Sequence, residues 1–432
     1  MSLRSKLSKK AKKKAKKTAR PASASPEASA SLDAAPSKPP KALKRAVKKA
    51  VRKAAKKGKK GSKTTARDFA QGVVSSMQTK MGKLKDSDTE VGLLSDSDIL
   101  SEVTEWISSG FDSLDQVLGG GWPIGRCSEV FGAEGAGKSA LTHMAIRECQ
   151  RAGGVVLYID FEHSLDPTKL EQLGIDPDTL IYCAPDTLEQ AWDLIYDMLK
   201  KLKEENPNAP TLIIWDSIAA SVPAKLLEAD AGDHHVALIA RSMSQNAGKV
   251  MHKIAKVRAH LMWVNQERHK IGGFGFGEQY QTTGGKAVPY ASSLRVQLRR
   301  RMTIKQGDNA VGYLIQVRTV KNRCYPPHRK VTWVLDFRYG PSSELTYFFH
   351  LKDAKVLKTA GAAGVTVPWL EPNAGSKQKH GTLTQHAWVA RMAADAEFAE
   401  KVREVYAEKV LPALRAGTRE AMDDTDEGET ED

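Results

Sequence analysis

Gly132, Ala133, Glu134, Gly135, Ala136, Gly137, Lys138 and Ser139 follow the spacing G-x-x-x-x-G-K-[ST], between an apolar run, CSEVF, and a helix-forming run, SALTHMAIREC. Glycines at those positions let successive backbone N–H groups curl around a phosphate, and the N-terminus of the helix behind them adds its dipole. Lys138 would meet the outer phosphate oxygens, and Ser139 would ligate Mg²⁺. The chemistry predicted is the binding of a nucleoside triphosphate.

Two further acidic positions extend that chemistry. Asp216 closes the apolar run of TLIIWDS, where a strand tip beside the phosphate loop would let its carboxylate complete the magnesium shell with Ser139. Hydrolysis also needs a group that orients and deprotonates water. The run VVLYIDFEHSLD offers Asp160, Glu162 and Asp166 just beyond another apolar strand, and spacing does not rank the three.

The elements that must hold these groups follow from the pattern of apolar residues. β-Branched apolar runs predict strands over 127–131, 155–160, 180–183, 211–216, 260–265, 294–298, 312–320 and 330–337. Helices are predicted over 138–152, 187–204 and 235–257. This alternation implies an α/β fold, a P-loop core with a mostly parallel sheet covered by helices on both faces. The expected organisation is a disordered basic tail over 1–67 and a short amphipathic helix with a strand-like TEVGLL in 68–100. The ATPase core follows over 101–340, then a small helix-rich α/β C-terminal domain over 341–415 and an acidic tail over 416–432.

Charge is distributed unevenly along the 432 residues. Residues 1–67 hold 24 Lys or Arg against only Glu27 and Asp33, so the remainder carries −7 of the net +15. Two lysine-rich blocks flank a Pro/Ala/Ser linker with almost nothing to bury, which predicts a tail that binds nucleic acid through its phosphates without reading sequence. The four cysteines, Cys127, Cys149, Cys183 and Cys324, form no C-x-x-C pair, which argues against a zinc or disulfide framework and for a reducing, cytoplasmic setting. No apolar run is long enough to span a membrane, and none marks a signal peptide.

Several segments, taken together and in order, resemble the bacterial RecA recombinases. They are the phosphate loop, YIDFEHSLDP, LIIWDSIAA, ARSMSQ, VNQERHKIG, TTGGKAVPYASSLRVQLRR and VKNRCYPP, and the resemblance covers roughly residues 85–415. It implies ATP and Mg²⁺ as cofactors, Glu162 as the carboxylate that activates water, and Gln266 as the residue that senses the γ-phosphate. Lys321 and Arg323 match a pair that reaches across a subunit interface to a neighbour's ATP; the family has two lysines there. The implied partners are single-stranded and double-stranded DNA and further copies of the chain in a helical filament. The resemblance also brings DNA repair, the SOS response and repressor substrates of a co-protease activity as candidate roles, with a nucleoid-associated location.

By the same resemblance DNA is held by two loops. The first corresponds to EADAGDHHV, with Arg241 and Ser244 of ARSMSQ at backbone-contacting positions. The second runs from Arg268 to Lys286. Arg268 and Lys270 would meet phosphates, Thr282, Thr283, Gly284, Gly285 and Lys286 would offer amides and hydroxyls, and Phe274 and Phe276 would lie against bases. The sequence departs from the family pattern at Lys169, where an adenine-stacking tyrosine is usual, and at Pro289 and Gly248. Two other classes share part of this pattern: a ring helicase or processing ATPase on the same core, and a DNA-organising protein dominated by its basic tail.

Overall fold

The computed structural model describes residues 65–82, 91–93, 95, 103–227, 235–269, 280–361, 364–372 and 380–416. The basic tail before residue 65, the EADAGDH segment (228–234), Lys270, Phe274, Phe276 and the acidic tail after 416 lie outside them. The chain divides into two compact units, Met1–Leu100 and Ser101–Asp432.

In the first unit, α1 (Ala66–Met81) starts at a capping box: the Thr65 hydroxyl accepts from Asp68 N, and the Asp68 carboxylate accepts from Thr65 N at 3.0 Å. No residue of α1 is buried, and Phe69 is 41% exposed. The expected strand-like TEVGLL is corrected where it is described. Val91–Leu93 has irregular backbone, with the Val91 carbonyl accepting from Gln78 Nε2 at 2.7 Å.

The second unit opens with β1 (Trp106–Ile107), α2 (Asp112–Leu118) and β2 (Trp122–Pro123). The main sheet is then laid down by β3 (Arg126–Gly132), α3 (Lys138–Arg151), β4 (Val155–Asp160), α4 (Pro167–Gln172), β5 (Leu180–Cys183), α5 (Leu188–Glu205) and β6 (Thr211–Asp216). It continues through α6 (Ala224–Leu227), α7 (His235–Ile254), β7 (Ala259–His269), β8 (Tyr280–Thr282), α8 (Ala287–Ala291), β9 (Leu294–Gln306), β10 (Asn309–Asn322), β11 (Lys330–Asp336) and β12 (Gly340–Ser342). The strand order is β12-β11-β10-β9-β3-β7-β6-β4-β5, with β8 paired to β7 off this path. The six strands from β9 to β5 run parallel, and the β9–β12 edge and the β7–β8 hairpin are antiparallel.

The near-continuous apolar runs arise because both faces of the parallel strands are covered. Val156, Tyr158, Leu212 and Ile214 point into one core with Leu141, Met144 and Ala145 of α3. Their neighbours Leu157, Ile159, Ile213 and Trp215 point the other way, against Trp192 and Ile195 of α5 and Met243 and Val250 of α7. Beyond β12, α9 (Ser343–Asp353), a three-stranded sheet of β13 (Lys358–Ala360), β14 (Gly364–Thr366) and β15 (Thr382–Thr384), α10 (Gln385–Ala394) and α11 (Ala396–Lys409) enclose a further core around Phe348, Trp388 and Tyr406. A last helix, α12 (Leu411–Ala416), returns to α2, and Arg329 donates to the Leu414 carbonyl at 2.6 Å.

The structure corrects the expected second loop in one respect. β7 runs to His269 and pairs with β8 through Glu267–Thr282, Arg268–Gln281 and His269–Tyr280, so the stretch after Gln266 begins and ends as a hairpin. Backbone pairing carries the ladder past the end of the apolar run, where side-chain pattern no longer signals a strand. Among the described residues no helix is long and apolar enough to cross a membrane.

Ile214 is fully buried and sits between Tyr158 of β4 and Met262 of β7. Ile214→Ala is expected to cost about 2–5 kcal/mol, read as a lower denaturant midpoint.

Candidate functional site

The carboxyl ends of β3, β7, β6 and β4 lie side by side. Gly132 is the register partner of Gln266, and Asp160 is the partner of Asp216. The phosphate loop therefore shares one sheet edge with the acids and the glutamine, the place where parallel α/β sheets bind ligands. No side chain caps α3, whose N-cap is Gly137 in a left-handed conformation, so its first turn is open to an anion. Gly132 is required by close packing: a Cβ there would meet the Leu298 carbonyl of β9 at 2.4 Å.

Lys138 lies back on its own loop, donating to the Gly132 carbonyl at 3.2 Å and the Ala133 carbonyl at 2.8 Å. Burial lowers its pKa, while Asp216, Glu162, Glu134 and Glu267 pull it back up. Its ammonium is thus held among acids and weak acceptors, a setting that a phosphate would improve.

The structure separates the three acids that spacing could not rank. Asp160 is fully buried, and its carboxylate accepts from the Glu162, Ser164 and Leu165 amides, fixing the turn. Asp166 caps α4 through the Thr168 and Lys169 amides. Glu162 is exposed; it accepts from Ser217 Oγ at 2.5 Å and from Gln266 Nε2 at 3.5 Å. Of the three, it is the one whose carboxylate is not used to hold a turn or helix end.

Asp216 is buried and accepts from the Tyr158 hydroxyl at 2.7 Å. Burial pushes its pKa up to about 6; the Tyr158 hydrogen bond opposes this, Glu162 and Asp160 add to it, and Lys138 opposes it. Ser139 starts α3 one residue after Lys138. The described residues contain no cluster of three or more His, Cys, Asp or Glu that could cage a metal. A site of one carboxylate and one hydroxyl suits Mg²⁺, which keeps waters and takes its remaining ligands from phosphates.

Lys321 and Arg323 are not at this edge. Lys321 pairs with Arg295, and Asn322 with Leu294, the residue beside Ser128; Gly132 lies beside Leu298. At ~3.3 Å per residue the end of β10 is about 13 Å along the sheet from the phosphate loop. Lys321 donates to the Pro289 and Tyr290 carbonyls of α8 at 2.6 and 3.3 Å. Its pKa falls to about 8, chiefly through burial and then through Arg323 and Arg295, with Glu129 opposing.

Of the described DNA-loop candidates, Arg241, Ser244 and the Gly284–Gly285 turn lie together at α7, while Arg268 and Thr282 sit on the β7–β8 pairing. Arg241 and Ser244 are exposed on that helix, and Ser244 Oγ donates to the Ala240 carbonyl at 2.8 Å. The Thr283–Lys286 turn packs beside them. Gly284, at φ 94°, leaves no room for a Cβ, which would meet Val288 at 2.9 Å, and a Cβ on Gly285 would meet Ala240 at 3.2 Å. Arg268 and Lys286 are exposed, but the side chains of Thr282 and Thr283 are buried, contrary to the expectation that their hydroxyls face a ligand. They are drawn inward because β8 is paired and the turn seats on Met243 and Val288.

Sequence reasoning missed Tyr158, Ser217 and Asn265. Ser217 stands directly after Asp216, and Tyr158 is the only polar residue among the apolar residues of the β4 run before Asp160; both were available signals. Asn265 was not distinguishable from the strand that carries it.

The sequence model of the RecA N-terminal domain matches residues 76–342. Protein RecA of Helicobacter hepaticus is 39% identical over 244 residues, 56% of this chain and 69% of that protein. Protein RecA of Bifidobacterium breve is 40% identical over 259 residues, 60% of this chain and 64% of that protein. Protein RecA of Tropheryma whipplei is 41% identical over 257 residues, covering 59% and 57%.

Asp216 generates a pH signature. An unfolded aspartate ionises near 4 and the folded one at about 6, so between these values folding takes up a proton and stability falls as pH rises. Asp216→Asn is expected to be more stable than wild type at pH 7, with the gap closing toward pH 4, measured by thermal unfolding without nucleotide.

Proposed function

The chain belongs to the RecA family, and from that premise we propose that it is an ATP-dependent recombinase. Subunits assemble on single-stranded DNA as a helical filament with ATP between neighbours, pair with homologous duplex, exchange strands, and hydrolyse ATP faster when DNA is bound. The observation that carries this reading is the shared edge of Lys138, Glu162, Asp216 and Gln266, where Gln266 leads straight into the β7–β8 hairpin.

Each residue has a physical task. Lys138 leaves the Gly132 and Ala133 carbonyls for the phosphates, and the amides of the loop and of the start of α3 hold the β-phosphate. Ser139 and Asp216 would hold Mg²⁺, which would screen the phosphate charge. Glu162 orients the attacking water and accepts its proton, with Ser217 and Gln266 fixing the carboxylate. Gln266 carries the nucleotide state into the hairpin. Lys321 and Arg323, too far along the sheet to serve their own phosphate loop, complete a neighbour's site, where Arg323 presents a planar, permanently charged group.

DNA is gripped by its backbone, through Arg241, Ser244, Arg268, Lys270 and the Gly284–Lys286 turn, with Phe274 and Phe276 against bases. The unburied helix α1 docks on the next subunit. The basic tail adds sequence-independent affinity, and the C-terminal domain captures duplex under restraint from the acidic tail. Repressor co-protease substrates and a nucleoid location in the cytoplasm belong to the same reading.

Strand exchange between homologous circular single-stranded and linear duplex DNA tests the reading. Wild type is expected to exchange strands with ATP, and Lys138→Ala to lose hydrolysis by about 100-fold or more together with exchange. A wild type that hydrolyses ATP without ever exchanging strands would overturn it. A chain starting at residue 68 is expected to bind duplex more weakly, with a shallower dependence of log affinity on log salt; an unchanged slope removes the tail from DNA binding.

A further inference from the structure

Asn265 is fully buried one residue before Gln266, and every polar atom of its side chain is used. Its Nδ2 donates to Glu129 Oε1 at 3.0 Å and to the Thr283 carbonyl at 2.8 Å, while its Oδ1 accepts from the Gln266 amide at 3.0 Å. One carboxamide therefore grips both the departure of the chain into the hairpin and its return at the turn before α8. Glu129 is itself fully buried on β3, and its other oxygen accepts from Arg295 Nε of β9 at 2.5 Å. Arg295 is the register partner of Lys321 on β10.

A buried carboxylate, guanidinium and carboxamide are costly to place in a sheet interior and are retained only when fully satisfied. Apolar residues fill the neighbouring positions on the same face of these strands: Cys127 and Phe131 on β3, Leu261 and Trp263 on β7. A sheet that needed only stability would be served by the same filling. Here the polar groups line up across β7, β3, β9 and β10, between the nucleotide edge, the hairpin base and the lysine at the far end of the sheet.

We propose that Asn265 is a positioning residue. Anchored by the Glu129–Arg295 pair, it holds Gln266 and the Thr283–Lys286 turn as one unit, so that a change at Gln266 on nucleotide binding is passed to the returning strand of the hairpin. The proposal deepens the reading given above, because the turn it moves is the part of the hairpin assigned to DNA. Asn265 touches neither phosphate nor base in this scheme; it acts through Gln266 and Thr283.

The test compares full-length wild type, Asn265→Ala and Asn265→Asp. Asn265→Ala removes the grip, and Asn265→Asp keeps its shape while turning an acceptor toward the Thr283 carbonyl and Glu129; either variant suffices if the other does not fold. Hydrogen exchange is followed over residues 260–269 and 280–286 with and without a non-hydrolysable ATP analogue, alongside ATP hydrolysis with and without single-stranded DNA. Wild type is expected to slow its exchange in both segments when the analogue binds. The variants should bind the analogue within about twofold of wild type and slow only at 260–269. Their DNA-stimulated rate should fall about tenfold, with the KM for ATP and the DNA-free rate held.

A variant whose 280–286 segment still responds overturns the proposal, as does a wild type in which that segment ignores the analogue. Parallel loss of ATP affinity, DNA-free rate and stimulated rate assigns Asn265 a merely structural role and overturns it too. If the exchange response is present in wild type and lost in the variants while DNA never stimulates hydrolysis, positioning stands and the recombinase reading falls.

Discussion

Four parallel strands ending at one level, β4, β6, β7 and β3, are the constraint on which the rest of this molecule depends. Their register is held from two sides, because alternate residues of the same strands enter different cores: Tyr158 and Ile214 one, Ile159 and Trp215 the other. A slip by one residue would exchange the two sets and break both cores at once. The pairings Gly132–Gln266 and Asp160–Asp216 are therefore by-products of packing, and they bring the glycine-rich loop, the buried Asp216 carboxylate and the Gln266 amide to one edge.

That convergence has an electrostatic cost, which the surroundings partly offset. Asp160, Glu162 and Asp216 crowd like charges near Lys138, and burial already disfavours an ionised Asp216. Tyr158 donates to Asp216, three amides satisfy Asp160, and Ser217 donates to Glu162. What is left is an excess of negative potential facing an unpaired helix start, a balance that a metal–triphosphate would complete. The opposite end of the sheet has the reverse character: burial, Arg323 and Arg295 together lower the proton affinity of Lys321.

Much of this was legible along the chain. Every predicted strand is present within a few residues at its start, and the phosphate loop stands between the strand and helix its spacing required. What spacing missed or left open shares a cause. The extension of β7 to His269, the burial of Thr282 and Thr283, and the different surroundings of Asp160, Glu162 and Asp166 depend on hydrogen-bond partners that are distant in sequence or invisible in side-chain type. Ser217 and Glu162 meet across 55 positions, and Asn265 and Glu129 across 136.

The sequence by itself determined which groups could do chemistry and which segments would be strands, because residue type sets charge, nucleophilicity and burial preference locally. Family membership is also written there, in motifs whose order survives without any coordinates. The tertiary structure alone decided which carboxylate is left out of turn and helix-end hydrogen bonds, which end of the sheet Lys321 and Arg323 occupy, and that a single buried asparagine joins Gln266 to Thr283. Those outcomes are set by strand order and register, which come from the mutual burial of residues far apart in the chain and leave no local mark.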